Sequence, residues 1–256
     1  MKTAISIITV VKNNKEFIED AIKSVLLQTY PAIEYIIIDG ASTDGTLGLI
    51  EKLASQNIND KKISRWISEP DDGIYDAMNK GINFSTGDII GFLHSDDMFA
   101  GDNVIEKIAG KFNLPDVNAV YSDLVYVTKG DNNKVLRYWK AGNFSLNSLK
   151  FGWMPPHPTF FVRKSLYQKY GLFDTGLKIA SDYDMILRLL NNNPDSITYI
   201  NDVLIKMRLG GKSNRSLKNI LTKSIEDYKA LKKNDFSLPA FTLLLKNIRK
   251  LNQFFL

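Results

Sequence analysis

The sequence predicts an α/β protein built on a mostly parallel sheet, and three features of the chain carry that expectation. Strand-like runs alternate with helix-like runs through roughly the first hundred residues, the order of successive βαβ units. The strand-like runs are continuously apolar rather than alternating, which is how strands covered on both faces read. Three successive strands end in acidic, turn-forming sequence, at Asp39, at Glu69 to Asp72 and at Asp96 with Asp97.

The first strand runs from Ile5 to Val11. Phe17, Ile18, Ala21, Ile22, Val25 and Leu26 then recur at helical spacing behind the potential caps Asn13 and Asn14, and Tyr30-Pro31 stops that helix. A second strand, Tyr35 to Ile38, ends at Asp39, and the turn Gly40 to Gly45 opens a helix carrying Leu47, Leu49, Ile50 and Leu53. A third strand lies around Ile63 to Ile67, followed by the acidic turn and a helix from Ile74 to Ile82. The fourth strand delivers Asp96 and Asp97 to the same edge of the sheet. After Asn118 the runs shorten to Ala119–Ser122, Leu124–Thr128 and a partner strand ending near Trp139, so this half is expected to be mixed or antiparallel.

The 256 residues suit one large α/β domain, and 44% hydrophobic with 24% charged residues is ordinary globular composition. Absence of cysteine excludes disulfides and thiolate metal sites and fits a reducing compartment. The apolar N-terminal stretch runs into Lys12-Asn13-Asn14-Lys15 without a small-residue cleavage site, so it reads as a strand and not a signal peptide. No window approaches the ~18 consecutive apolar residues of a membrane span. The charge is unevenly placed: of the net +5, residues 206–256 carry +9 and the rest −4. A basic tail fits nucleic acid, an anionic membrane or a solvated helix face, but zinc-finger and RNP signatures are absent, so nucleic acid is not expected as a partner.

Two adjacent carboxylates at the end of a buried strand repel one another unless a cation or donors compensate, and ligands of open α/β sheets gather at that edge. The alternative is that Asp96 or Asp97 closes a turn or caps the helix near Asp102. Asp182 opens a helix carrying Met185, Ile186, Leu189 and Leu190, where it would serve as a cap or as a general base facing the sheet edge. His157 lies in the proline-stiffened loop Trp153 to Pro158, beside a metal or acceptor or simply satisfied within the loop. Trp153 offers a flat aromatic face for stacking on a ligand or a core ring. Lys80, and Lys212 within Gly210-Gly211-Lys212-Ser213, are candidates for phosphate neutralisation. From Phe241 to Phe255 apolar residues interleave with Lys246, Arg249 and Lys250, the pattern of an interfacial helix and equally of a helix packed on its own domain.

Taken together, Ile7 to Asn14, Ser24 to Pro31, Ile37 to Thr46, Gly73 to Gly81, Gly91 to Asp97, and Ser181 to Asp184 followed by Leu187-Arg188-Leu189 resemble family-2 glycosyltransferases of the GT-A fold, a Rossmann-like sheet with flanking helices. The resemblance extends over about residues 3–213. It implies a nucleotide-sugar donor, a divalent metal, Mn2+ or Mg2+, and inversion at the anomeric carbon. By motif position Thr9 and Asp39 look like base-binding residues, Asp72, Lys80 and Asp96 like further nucleotide contacts, Asp97 like the metal ligand and Asp182 like the catalytic base. His94 stands where many members carry a third carboxylate, so the metal site is lighter by one charge.

The resulting expectation is a glycosyltransferase domain over residues 1–213, with a nucleotide-binding half at 1–117 and an acceptor half at 118–213, followed by a basic amphipathic helical tail at 214–256. It would move a hexose from a nucleotide-diphosphate sugar, UDP favoured, to a sugar acceptor on a polyprenyl diphosphate. Bacterial relatives of this type build surface polysaccharides such as O-antigen, which implies a cytoplasmic protein, peripheral on the inner face of the membrane. The competing class is a nucleotide-sugar-binding protein without turnover, with His94 marking a decayed metal motif.

Overall fold

In the computed structural model, residues 2–210 and 217–250 are described. The strands are β1 (Ile5–Val11), β2 (Ile33–Asp39), β3 (Arg65–Ser68), β4 (Ile89–Phe92), β5 (Met98–Phe99), β6 (Ala119–Val127), β7 (Val135–Trp139), β8 (Phe161–Arg163) and β9 (Ile197–Arg208). The helices are α1 (Ile18–Leu26), α2 (Thr46–Ala54), α3 (Ile74–Phe84), α4 (Val104–Phe112), α5 (Leu146–Lys150), α6 (Lys164–Tyr170), α7 (Ser181–Asn192), α8 (Leu217–Lys233) and α9 (Pro239–Arg249).

The sheet runs β3-β2-β1-β4-β8-β6-β9-β5, with β7 added on β6. β1, β2, β3 and β4 are mutually parallel, so their carboxyl ends form one edge. Beyond β4 the sheet is mixed: β8 is antiparallel to β4 and β6, β7 is antiparallel to β6, and β9 is parallel to β6 but antiparallel to β5. The expected change of pattern after Asn118 is therefore present. The two short runs expected between Ala119 and Thr128 are one strand, whose pairing with β9 slips around Asp123.

Both faces of the parallel half are covered, which is why β1 is buried throughout. Ile5 and Ile7 pack into a layer with α1 residues Ile18 and Ile22, α2 residue Ile50 and α4 residue Ile108. Ile8 and Val10 face the opposite layer, with Met78 and Ile82 of α3 and Ile186 and Leu190 of α7. Gly91 is demanded by this packing, since a Cβ there would lie 2.1 Å from the Phe161 ring.

The tail helices belong to the same body. Asn234, just past α8, donates from Nδ2 to Asp184 Oδ1 at 3.0 Å, and Ala230 and Leu231 are fully buried. On α9, Thr242 Oγ1 donates to the Lys150 carbonyl at 2.9 Å, and Arg249 Nε donates to that of Phe151 at the same distance. Gly152, at φ +75, lies so near α9 that a Cβ would sit 2.3 Å from the Lys246 nitrogen. The outward face of α8 and α9 nevertheless keeps Leu221, Ile225, Phe241, Leu244 and Ile248 exposed. Both readings of the tail thus have a surface: one side packs on the domain, and the other presents apolar side chains. The expected boundary at residue 213 falls outside the described residues.

Candidate active site

The shared edge of the four parallel strands is braced by the loops that leave β1 and β2. Asn13, at a left-handed φ of 53°, donates its N–H to Ser42 Oγ at 2.8 Å, while its side-chain oxygen accepts from the Thr43 N–H at 2.8 Å. Asn14 donates from Nδ2 to Ser95 Oγ at 2.8 Å, tying the β1 loop to the turn that carries the paired carboxylates. Neither caps α1, whose N-terminal flank is Phe17 with no side-chain cap. Their expected role as side-chain caps is replaced by that of loop pins, because these groups are engaged with Ser42, Thr43 and Ser95, while the Asn14 carbonyl accepts from the Phe17 and Ile18 N–H groups at the start of α1.

Asp97 follows β4 in a turn closed by its N–H to the His94 carbonyl at 3.0 Å. Its side chain is fully buried, and among the described residues neither carboxylate oxygen has a partner at hydrogen-bond geometry, the Arg208 backbone N–H being the donor that faces it. It caps nothing, since α4 starts at Val104 behind Asn103. Burial first and the neighbouring Asp96 second push the Asp97 carboxyl well above the usual carboxylate range, with Arg208 opposing. An unpartnered buried carboxylate is among the most costly groups a fold can carry, and a cation is its natural complement. Among the described residues no group of three or more His, Cys, Asp or Glu side chains is arranged to hold a metal. A divalent ion held by one or two carboxylates with phosphates completing its shell needs no such group, so the residues present fit Mg2+ or Mn2+ bound together with a diphosphate.

Arg208, at the end of β9, is a site residue that no spacing announced. It is 2% exposed, donates from Nη1 to the Asp96 carbonyl at 3.0 Å, pairs with Asp20, and lies 4.7 Å above the Phe17 ring. It holds the acidic turn from behind and offsets part of its charge. It lies 112 residues from Asp96 in the chain, and only the parallel pairing of β6 and β9 with β5 beside them brings it there.

On the other side of this edge, Asp182 sits in the first turn of α7, half-buried, and its Oδ1 accepts from the Tyr75 hydroxyl at 3.2 Å. The same hydroxyl donates to the Ile179 carbonyl at 2.8 Å, so α3 fixes the entry to α7. Glu226 on α8 fixes it from behind. Its Oε1 accepts from the Lys178 N–H at 3.0 Å, and its Oε2 accepts from Ile179 at 2.8 Å and Ala180 at 3.0 Å. Asp184 faces away from the site, buried against Arg188 at 3.2 Å.

His94 and His157 fill the space between the two acidic ends, with ring centroids 5.8 Å apart. Burial lowers both. His157 falls to about 4, although Asp182 pulls the other way, and His94 falls against Asp96 and Asp182. Both imidazoles are therefore neutral near pH 7. His157 stacks on Phe92, and its buried Nε2 has no partner among the described residues, so the loop does not satisfy this histidine.

Several expected contacts are taken up inside the protein instead. Thr9 is fully buried, and its Oγ1 donates to the Leu93 carbonyl at 2.8 Å and meets the Tyr35 hydroxyl at 3.0 Å, so its side chain holds β1 to β4 rather than facing a base. Lys80 is bound by Glu69 at 2.8 Å, by Asp76 at 3.4 Å and by the Pro70 carbonyl at 3.0 Å, so it clamps the acidic turn. Trp153 is a core ring, 5.5 Å edge-on to Tyr121, with Nε1 donating to the Ala141 carbonyl at 2.7 Å. Asp39 accepts from the Ser42 N–H and hydroxyl and from Ser68 Oγ, which leaves one of the about four acceptor positions of a carboxylate for a further donor. Gly40 beside it allows the Asp71 carboxylate to approach, since a Cβ would lie 2.2 Å from that oxygen. Asp72 is exposed on the rim. Lys212 lies outside the described residues.

Comparisons with known proteins bear on the family and the fold. The family model described as Glycosyl transferase family 2 matches residues 6–174. An uncharacterized glycosyltransferase of Mycobacterium tuberculosis is 34% identical over 192 residues, covering 72% of this chain and 68% of the relative. A PGL/p-HBAD biosynthesis glycosyltransferase of Mycobacterium bovis is 28% identical over 213 residues, 82% of this chain and 78% of the relative. Among solved structures, S. aureus TarS in complex with UDP-GlcNAc superposes with a TM-score of 0.69 at 17% identity, covering 98% of this chain and 72% of TarS. The mannosyltransferase PcManGT of Pyrobaculum calidifontis, in complex with GDP-Man and Mn2+, gives 0.67 at 17% identity over 96% and 69% of the two chains. The fold is thus GT-A, as expected from the motifs.

Proposed function

The chain belongs to glycosyl transferase family 2, and on that premise we propose that it is an inverting, metal-dependent hexosyltransferase using a nucleotide-diphosphate sugar, UDP-linked, with a lipid-linked sugar as acceptor. The observation that carries this reading is the Asp97 carboxylate, buried beside Asp96 with no side-chain partner among the described residues, on the sheet edge that Asp182 approaches from α7. A divalent ion held by Asp97 would neutralise the leaving diphosphate as a Lewis acid.

The remaining chemistry falls to the chain's own side chains. Asp182 takes the proton from the acceptor hydroxyl, positioned by the Tyr75 hydroxyl on its Oδ1. His94 and His157, neutral and buried, keep the space between the two acidic ends dry without a cation to compete for the diphosphate. Asp39, with one acceptor position left, takes a ring N–H of the base, and Asp96 contacts the ribose. Arg208 holds the Asp96-Asp97 turn against the repulsion of its paired charges. UDP is favoured by the fold shared with a UDP-GlcNAc complex, although the GDP-Man complex of the second neighbour shows that the fold admits guanine in other proteins.

A peripheral place on the inner face of the membrane is supported by the half-exposed Phe241, Leu244 and Ile248 on α9 beside the basic residues of the tail. Among the described residues no helix is long and apolar enough to cross a bilayer.

The test is thermal stabilisation by UDP-, GDP- and dTDP-sugars with and without Mn2+, since a ligand bound only by the folded state raises its stability. Stabilisation by a UDP-sugar is expected to require Mn2+ and Asp97, and Asp97→Ala is expected to abolish transfer while remaining folded. Full turnover in excess EDTA would refute the metal role. Stabilisation without any turnover would favour a binding protein instead.

A further inference from the structure

We propose that His157 binds a hydroxyl group of the transferred hexose and so helps to select the sugar of the donor, an inference that rests on the glycosyltransferase reading above. Two observations carry it: where the imidazole stands, and the state of its Nε2.

The position follows from contacts alone. Tyr75, whose hydroxyl donates to Asp182 Oδ1 at 3.2 Å, stacks on Phe173 with ring centroids 5.8 Å apart. Phe173 meets the His157 ring edge-on at 6.0 Å. His157 in turn lies 5.8 Å from the ring of His94, whose carbonyl closes the turn of Asp97. The imidazole thus stands on a continuous path from the proposed base to the proposed metal ligand. In an inverting transfer the hydroxyl attacks one side of the anomeric carbon as the leaving group departs from the other, so the sugar ring occupies the space between base and metal.

The ring is held in place. Phe92 stacks on it at 6.0 Å, and the 3-10 turn His157–Thr159 that carries it is tied to β6, where Thr159 Oγ1 accepts from the Ser122 N–H at 3.2 Å. Nε2 is nevertheless buried with no hydrogen-bond partner among the described residues. A fold that needed only a packed ring there would be served by another phenylalanine beside Phe92 and Phe173, without the cost of an unpaired polar atom. The entering sugar supplies the missing partner. Burial lowers the imidazole to about 4, so it is neutral near pH 7. A neutral imidazole makes an ordinary hydrogen bond, which fits a sugar hydroxyl better than a charged phosphate.

The experiment measures, by titration calorimetry with Mn2+, the affinities of UDP, UDP-glucose, UDP-galactose and UDP-N-acetylglucosamine for wild type, His157→Phe and His157→Gln. Phenylalanine keeps a ring, and glutamine keeps a nitrogen near the place of Nε2. The best-bound UDP-hexose is then compared with analogues that each lack one hydroxyl of the hexose. Folding is first checked by circular dichroism, with His157→Leu in reserve should the phenylalanine variant not fold. UDP is expected to bind all proteins equally. The UDP-hexose is expected to bind the phenylalanine variant about tenfold more weakly than wild type, the worth of one hydrogen bond left unmade, with glutamine between. One deoxy donor is expected to lose that same factor in wild type and nothing further in the phenylalanine variant, because both changes remove one bond. Equal affinity of the UDP-hexose for wild type and the phenylalanine variant overturns the proposal. So does a set of deoxy donors in which none is insensitive to the variant. A matching loss for UDP alone assigns His157 to the diphosphate and overturns it as well. If wild type binds neither UDP nor any UDP-hexose, the parent reading fails and this one falls with it. Donor binding that ignores His157 sinks this proposal alone.

Discussion

Removing Glu226 should loosen the end of α7 that carries Asp182, the proposed base, while leaving every proposed donor contact in place. Its carboxylate accepts from three consecutive N–H groups, those of Lys178, Ile179 and Ala180, directly ahead of the helix that carries Asp182. The side chain is nearly buried, so water cannot freely replace it in Glu226→Ala. A typical net hydrogen bond contributes about 1 kcal/mol, and bonds to a charged group about 1.5–3. Three bonds to one carboxylate are not additive, and about 3–5 kcal/mol is the expected loss, a large share of the usual stability of a domain. For a chain of this length that corresponds to roughly 6–20 °C in Tm. Glu226→Gln keeps the acceptor oxygen but loses the charge and one of the two oxygens, and should lie between. Urea unfolding followed by circular dichroism measures the loss. Turnover measured below the unfolding transition should fall with donor affinity preserved, because Asp182 is displaced and Asp97 is not. A loss under about 1 kcal/mol in Glu226→Ala, or a fall in donor affinity with turnover kept, would show that the tail does not position the base.

The other expectations are narrower. Asp182→Asn should bind nucleotide sugar as wild type does and lose turnover by about 10² or more, as for other acid-base groups; normal turnover would leave Asp182 a helix-start residue. Changing Phe241, Leu244 and Ile248 together to Ser should cut sedimentation with anionic liposomes, each half-exposed side chain offering about 1 kcal/mol on insertion, and unchanged binding would remove α9 from the membrane contact. Lys246 has its folded value lowered to about 7 from 10.5. The unfolded chain therefore holds the extra proton between those limits, and stability should rise with pH from about 7 towards 10.5 and be least below 7. Lys246→Met should flatten that rise in urea midpoints measured across the range, and an equal slope in both proteins would contradict it.

The parallel half of the sheet could be read from the chain because its strands are short, continuous apolar runs and their acidic ends repeat. Ile5–Val11 is observed with the expected limits, and the strands ending at Asp39 and near Glu69 differ by a residue or two. β8 and β9 could not be read in the same way. β8 has only three residues, and β9 is half-exposed along much of its length, so neither carries a continuous apolar signature. Local sequence also proposed Thr9, Lys80 and Trp153 as ligand contacts. A motif position states that a residue type is needed there, not what its side chain touches, and all three are occupied within the fold.

What the sequence determined by itself was the family, the GT-A sheet and the pair Asp96-Asp97 at a strand end, because those follow from local periodicity and contiguous motifs. The tertiary structure alone decided that Asp97 is buried with no side-chain partner among the described residues, that Arg208 braces its turn, and that Glu226 holds the helix bearing Asp182. Each of these depends on groups more than forty residues apart in the chain meeting where water is excluded. A charge has no fixed cost until its surroundings are known, and those surroundings exist only once the chain has folded.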